Sequence, residues 1–485
     1  MTRSTSLEKT IYRHLAARIQ SGFYSDGRRF PSVQEIARQF GVSYCPAQRA
    51  LKTLEKDGLV RVARGKGTVV LKKPCENYLE SDTFRERRAA LADLAETLKL
   101  LSPAIAFQGL CHMAASGVPF DPAPEKSGRI RQWSGVAPLF EDACLALGSQ
   151  TASSLYYDIN AFIQSAFTDL FHAGKGETGQ IRFPNHLAGE FAASFQLCAA
   201  GDHAAAKNRL EKLAGFFFGE LARLLHETAP GKTALLEQPF SWTPRKGRTR
   251  YCDMIAIDLA CKINEGLYPP GTLLPAGTVL ADIYHVSAIT MRRTVGLLNR
   301  LGVTRPVNGV GTRVVSGRDP GMADRLNALM PGNNLRTFLE TFQLLAVTSE
   351  PALRHTFPRF GPEIRHSLQE AFSVKEGSAA ITAALSASLR GIVLYSPLAA
   401  LREIYSKITL LLLNGGLLRF SRIEVEAGWP ALSEKLANAL ADGDSGRFAR
   451  AFRQLLAHLF VSLKSHLEKR GVPGTGEIVT PVFPD

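Results

Sequence analysis

Residues 31–70 read PSVQEIARQFGVSYCPAQRALKTLEKDGLVRVARGKGTVV, and the fold of the chain turns on how this stretch is parsed. Pro31-Ser32-Val33-Gln34-Glu35 has capping-box spacing: a hydroxyl and, three residues on, a carboxylate can each satisfy the other's backbone N–H, so a short helix is expected to start there. Phe40-Gly41-Val42-Ser43 then leads through a tight turn into another helix. Its Ala47, Ala50, Leu51 and Leu54 fall at i, i+3, i+4 and i+7, one apolar stripe, which leaves Tyr44, Gln48, Arg49 and Lys52 on the outer face. Pro46 sits in the first turn, where a missing N–H does no harm. Next, Gly58-Leu59-Val60-Arg61-Val62 alternates like a strand, Arg64-Gly65-Lys66-Gly67 turns, and Thr68-Val69-Val70 returns, which predicts a hairpin.

Upstream, Thr5-Ser6-Leu7-Glu8 repeats the capping-box spacing, Ile11, Leu15 and Ile19 make an i, i+4, i+8 stripe, and Gly22 is placed to end that helix. Three helices and a hairpin, with a tight turn between the second and third, are the parts of a winged helix-turn-helix.

The pattern recurs 244 residues later. Ile11, Leu15 and Ile19 return as Ile255, Leu259 and Ile263; Gly22, Tyr24, Gly27 and Pro31 return as Gly266, Tyr268, Gly271 and Pro275. Val42-Ser43 returns as Val286-Ser287, and Gly65-Lys66-Gly67-Thr68 as Gly309-Val310-Gly311-Thr312, without a gap. A repeat of this length implies a second three-helix unit with its own wing. Charge follows the same division. Net charge is +14, but residues 1–75 carry 15 Lys and Arg against 5 Asp and Glu, and 241–318 carry 11 against 4. Residues 76–240 carry 14 against 19, and 319–485 carry 18 against 16. Positive charge confined to two short blocks is the footprint expected of a polyanion contact, since each phosphate neutralised releases condensed counterions.

The intervening segments, 83–226 and 322–470, are rich in Ala, Leu and Phe at helical spacing, as in Leu94-Leu98-Leu101 and Phe448-Phe452-Leu455-Leu456-Leu459. They too look related, because 199–213 (AAGDHAAAKNRLEKL) parallels 441–455 (ADGDSGRFARAFRQL) at an offset of 242. Gly-Asp ahead of such a helix marks an N-cap, so Asp202 and Asp444 are expected to cap. The expected fold class is therefore mainly α, with two winged helix-turn-helix domains alternating with two all-helical bundles. The domains expected are 1–75 (first winged helix), 76–227 (first bundle), 228–250 (an exposed linker), 251–318 (second winged helix), 319–470 (second bundle) and 471–485 (an irregular tail). Residues 117–135, with Pro119, Pro122 and Pro124, read as a long loop in the first bundle.

Several classes are excluded. The longest strongly apolar run, 408–413, falls short of the roughly 20 residues of a membrane span. The first residues, MTRSTSLEKTIYRHLA, are charged where an export leader needs an apolar core, and seven cysteines without a CxxC pair indicate neither a disulfide framework nor a zinc ribbon. A reduced cytoplasm is the expected setting.

The motifs FPSVQEIARQFGVS, ALKTLEKDGLV and RGKGT resemble the winged helix-turn-helix of the GntR family of bacterial transcription regulators, and LLPAGTVLADIYHVS, LLNRLGV and GVGT resemble it more loosely. The resemblance implies a regulator of double-stranded DNA, expected to act as a repressor. Both copies depart from the family pattern. Where the family has Arg after the Val-Ser serine this chain has Tyr44 and Ala288, and where it has a further Arg on the recognition helix this chain has Gln48 and Arg292, so the two copies should read different bases. In that frame Arg49, Lys52, Arg292 and Arg293 are candidates for groove or phosphate contact, and Arg28, Arg38, Arg64, Lys66 and Arg313 for phosphate anchoring. Gln48 either pairs with adenine or does nothing, and Tyr44 either stacks on sugar or fills a gap. Ser32 and Ser43 either hold phosphate at a helix start or simply cap, and Ser287 and Thr290 complete the candidate set.

The Gly-Asp helix pair resembles the helical effector domain of the FadR-like branch, many of whose members hold a divalent metal through an Asp and several His. Here His458 falls at one such place, but Phe216, Phe191 and Ser433 stand at the others, so neither a metal nor another cofactor is expected. An organic effector between helices remains an expected partner, with the chain as its own pseudo-dimer and further homodimerisation open. Another branch of the family joins this head to an aminotransferase-like fold. Residues 76–485 show neither a Ser-x-Ser-Lys type segment nor alternating strands and helices, so no enzyme is expected. The alternative function is a ligand sensor or scaffold whose second winged helix no longer binds DNA, as Ala288 and Thr278 suggest.

Overall fold

The computed structural model describes residues 8, 11, 12, 15, 16, 19, 24, 30–39, 42–63, 67–71, 82–118, 136–173, 182–227, 237–244, 251–264, 266–315, 333–374, 378–415 and 428–484. It is mainly helical and falls into two compact units, Ser4–Lys246 with Leu394–Ile404 and Pro481–Asp485, and Gly247–Val393 with Tyr405–Thr480 and Met1–Arg3.

In the first unit, Glu8, Ile11, Tyr12, Leu15, Ala16 and Ile19 are helical, followed by α1 (Val33–Gln39), α2 (Tyr44–Lys56) and the antiparallel hairpin β1 (Val60–Ala63) and β2 (Gly67–Val70). This is a winged helix-turn-helix. Its core is the predicted stripe: Ile11, Leu15 and Ile19 close on Ile36, Ala47, Ala50, Leu51 and Leu54, with Leu59 and Val60 from the wing. The capping box at α1 forms in both directions, Ser32 N–H donating to Glu35 Oε2 at 2.7 Å and Glu35 N–H to Ser32 Oγ at 3.2 Å. The end of α2 is a Schellman turn. Gly58 N–H donates to the Glu55 carbonyl and Leu59 N–H to that of Leu54, which puts Gly58 at φ +68°, a left-handed backbone that glycine adopts without a Cβ clash.

In the second unit, residues 251–315 form α8 (Tyr251–Asn264), α9 (Gly277–Ile283), α10 (Ala288–Arg300) and the hairpin β3 (Thr304–Val307) and β4 (Gly311–Val314). Their details coincide with the first block at an offset of 244. Ile255, Leu259, Ile263, Leu280, Met291, Thr294 and Leu298 are buried, as are their counterparts from Ile11 to Leu54. The hairpin registers match residue for residue, Val60 opposite Val70 and Thr304 opposite Val314. Gly302 and Val303 repeat the Schellman bonds, to Asn299 and Leu298. One difference lies in the turn, where His285 takes φ +50° at the position that Gly41 holds in the first block. Gly41 itself lies outside the described residues.

The rest is helix. Between the blocks run α3 (Asp82–Ala115), α4 (Val136–Leu145), α5 (Gln150–Ala173), α6 (Arg182–Ala199) and α7 (His203–Glu227). After the second block come α11 (Asn333–Thr356), α12 (Pro362–Ser373), α13 (Ser378–Tyr395), α14 (Ala399–Leu412), α15 (Trp429–Ala441) and α16 (Ser445–Lys469). Asp202 and Asp444 cap as expected, accepting from Ala205 N–H at 3.0 Å and Arg447 N–H at 2.9 Å. Seven buried positions of α7 (Ala206, Leu210, Leu213, Ala214, Phe218, Leu221 and Leu225) recur 242 residues later on α16 as Phe448, Phe452, Leu455, Leu456, Phe460, Leu463 and Leu467, all buried. Most of the loop expected at 117–135 lies outside the described residues.

The stretch 228–250, expected as an exposed linker, is not uniformly exposed where it is described, at 237–244. Phe240 and Trp242 are buried, Trp242 Nε1–H donates to Ser154 Oγ at 3.0 Å, and Thr243 N–H donates to Asp158 Oδ2 at 2.9 Å. Prolines and polar residues mark irregular backbone, not exposure, and two large rings find room between helices. Nor do domain limits follow the chain in order. Asp93 on α3 accepts from Ala399 and Ala400 N–H at 2.8 and 2.6 Å, capping α14 across some three hundred residues, and Glu403 accepts from Ser241 Oγ and Trp242 N–H, each at 3.1 Å. The tail is irregular but fastened: the Gln108 side-chain amide exchanges two hydrogen bonds with the Val482 backbone, at 2.6 and 2.8 Å, and Ile478 is fully buried.

Candidate nucleic-acid interface

The two third helices, α2 and α10, present the surfaces that the apolar stripe leaves over. On α2, Tyr44, Arg49 and Lys52 are exposed and Gln48 is half-buried; on α10, Arg292 and Arg293 are exposed and Thr290 is half-buried. Arg313 is exposed on β4. Arg28, Arg64 and Lys66 lie outside the described residues; Arg38 is on α1, but its side chain also lies outside them.

Among the described residues, Arg49, Lys52, Arg292, Arg293 and Arg313 make no ion pair. Several cations of the bundles, by contrast, are held by carboxylates. Arg223 sits between Glu220 and Glu227, Arg209 pairs with Glu190, and Arg336 with Glu340 and Glu477. Unpaired guanidinium and ammonium groups on one side of a helix keep their full Coulombic attraction for phosphate, with no internal carboxylate to give up first.

The serines divide. Ser32 is engaged in the capping box, and Ser287 Oγ accepts from Thr290 N–H at 3.2 Å while lying 2.9 Å from Thr290 Oγ1. Ser43 precedes α2 with an extended backbone and makes no side-chain cap bond, so its hydroxyl is the one left available. For Ser32 and Ser287 the capping reading is the one the geometry favours.

The sequence reading passed over Arg61 and Arg305, both exposed on the first wing strands. The register of the second hairpin places Arg305 directly opposite Arg313. Two like charges facing each other across a strand pair destabilise the bare hairpin and are relieved by an anion between them. Alternation along Thr304-Arg305-Pro306-Val307 was the signal that could have found it, since positions two apart share a face.

Side-chain polar bonds tie the helices of each block together. In the first block, Tyr12 donates from its hydroxyl to Asp57 Oδ2 at 2.6 Å, at the end of α2; burial, and then this carboxylate, push the phenol up to about 12. In the second, buried Asp258 on α8 pairs with Lys262 at 2.7 Å and accepts from the Tyr284 hydroxyl at the end of α9. Glu55 also reaches the wing, accepting from Val62 N–H at 2.8 Å.

In the bundles, the positions compared with the metal-binding branch lie apart from any such surface. His458 is exposed, Phe216 is 54% exposed, and Phe191 and Ser433 are buried. Among the described residues no group of three or more His, Cys, Asp and Glu side chains is arranged to hold a metal, and no helix is long and apolar enough to cross a membrane. In the second bundle, Glu350 accepts from Arg354 at 2.6 Å and faces Arg453 at 3.1 Å.

Comparison with known proteins agrees with the first block. Residues 7–70 match the model of the gntR family of bacterial regulatory proteins. A 64-residue stretch is 36% identical to the HTH-type transcriptional regulator TreR of Bacillus subtilis, covering 13% of this chain and 27% of TreR. An 88-residue stretch is 32% identical to the Uxu operon regulator of Haemophilus influenzae, covering 18% of this chain and 32% of that protein. The chain thus spans about a quarter to a third of the length of these curated relatives. Among solved structures, Streptococcus agalactiae GntR aligns over 44% of this chain and 99% of its own, at 16% identity and a TM-score of 0.21.

Proposed function

We propose that this chain, whose residues 7–70 are a GntR-family helix-turn-helix domain, is a bacterial transcription regulator of the cytoplasm that grips double-stranded DNA with two unlike winged helices carried in one polypeptide. The second winged helix is residues 251–318, and each head is followed by a helical sensor, the whole arising by duplication of a head and a bundle. The observation that carries the reading is the offset of 244 residues at which buried positions, hairpin register and helix-ending hydrogen bonds coincide in the two blocks. Coincident hydrogen bonds are harder to reach by chance than coincident residue types. Among the described residues, both outer faces carry cations without ion pairs, which supports a phosphate-binding surface.

Ordinary dimeric regulators read two-fold symmetric half-sites because their heads are identical. With Gln48 against Arg292 and Tyr44 against Ala288, the two heads here favour an asymmetric site, the pair being held together covalently instead of by dimerisation. An organic effector is held between helices of a bundle, and repression follows from occupation of a promoter. Footprinting of the full chain on DNA from its own promoter region tests this. Two unlike protected segments about one helical turn or a multiple apart are expected; a single protected segment overturns the two-headed reading, and the absence of protection overturns the regulator.

A further inference from the structure

Cations explain why the second block should approach a duplex, but they do not account for the rest of its outer face. Ile289 is 62% exposed and Ile283 is 55% exposed, with Ala288 exposed beside them. The matching positions of the first block are Cys45, Gln39 and Tyr44. Ile289 lies in the first turn of α10, fixed there by the Ser287 cap, and Arg292 and Arg293 follow one turn later on the same face. An exposed isoleucine followed one turn later by two guanidinium groups that make no ion pair among the described residues calls for a partner that is anionic at its edge and apolar in its middle. The major groove over thymine has that pattern, with phosphates along both rims and a C5-methyl on the base edge.

Resting on the two-headed reading, we propose that Ile289 is a specificity-determining residue, packing with Ala288 against thymine methyl groups in the half-site of the second head. At the position of Ile289 the first head has Cys45, which lacks that branched aliphatic group. Isoleucine also discriminates by exclusion. It offers nothing to the exocyclic amine of cytosine, so a cytosine at the contacted position loses its water and gains no hydrogen bond.

The test starts from duplexes recovered by the full chain from a random-sequence pool, with the two half-sites assigned by footprinting the variants Arg49→Ala/Lys52→Ala and Arg292→Ala/Arg293→Ala. Thymines of the second half-site are then replaced by deoxyuridine, which lacks only the methyl, and separately by 5-methylcytosine or cytosine. The expected result is a loss of about fourfold in affinity for each contacted methyl removed, with 5-methylcytosine binding better than cytosine. Ile289→Ala should bind the thymine and deoxyuridine duplexes equally; because the side chain is exposed, its melting temperature should match the parent. Deoxyuridine insensitivity in the parent, or the same sensitivity in Ile289→Ala, overturns the proposal while leaving the regulator intact. If Arg292→Ala/Arg293→Ala leaves both affinity and footprint unchanged, the second head does not touch DNA and the apolar face belongs to a protein partner. Recovery of no duplex at all overturns the regulator reading itself.

Discussion

Salt dependence gives the sharpest measure of how many cations the two heads engage. Arg49 and Lys52 on α2, Arg292 and Arg293 on α10, and Arg305 and Arg313 on the second wing are exposed and, among the described residues, without ion pairs. Each phosphate neutralised contributes about 0.9 to the fall of log K with log salt, so these six together give a slope of about −5 and a loss of roughly a thousandfold between 50 and 200 mM salt. Groups outside the described residues would steepen the slope without altering differences between variants. Arg292→Ala/Arg293→Ala should make the slope shallower by about 2, and Arg49→Ala/Lys52→Ala should do the same. None of the four side chains leaves a carboxylate orphaned, so folding stability should stay within about 0.5 kcal/mol of the parent. Fluorescence anisotropy of a labelled promoter duplex, titrated at five or more salt concentrations, reads the slopes directly. A parent slope shallower than about −2, or a slope that one double variant leaves unmoved, refutes the two-handed grip.

Three further outcomes concern the scaffold. Tyr12 is pushed up to about 12 by burial and then by Asp57, so its contribution is full below the unfolded value of about 10 and is lost as pH rises from 10 to 12; discounted for exposure this amounts to roughly 1 kcal/mol, and Tyr12→Phe should flatten the alkaline arm of a stability profile. Trp242→Ala removes a fully buried indole and its bond to Ser154, and should cost about 3–5 kcal/mol in denaturant unfolding; a change under about 1 kcal/mol would mean that residues 237–244 are held only loosely. His285 has φ +50°, so His285→Val should lose about 1–2 kcal/mol and His285→Gly should be neutral to within about 0.5 kcal/mol, as measured by chemical denaturation of the full chain.

The heads were the most legible part of the sequence because their rules are local. A hydroxyl three residues ahead of Glu35 and apolar residues at 47, 50, 51 and 54 are each read within a span of a few residues, and each forms the bond or buried contact it implies. The choice between capping and phosphate binding for Ser32 and Ser43 could not be made from spacing, since both uses need the same hydroxyl at the same helix start. It took the observed bonds to separate Ser43 from Ser32. Arg305 became a candidate only when strand register set it opposite Arg313, and Ile289 only when its exposure was known.

What the amino-acid order determined alone is the kind of element at each place: helix period, cap, turn glycine, hairpin, and the repetition of all of these 244 residues apart. These follow from backbone geometry and neighbours within a turn or two. Tertiary structure alone decided the distant partners. Asp93 caps a helix that begins at Ala399, Gln108 clasps the backbone of Val482, and Trp242 is buried in a stretch whose prolines suggested exposure. A carboxylate or an amide carries no mark of which distant N–H it will meet; that is settled only when packing closes the loops and every buried polar group must find a partner.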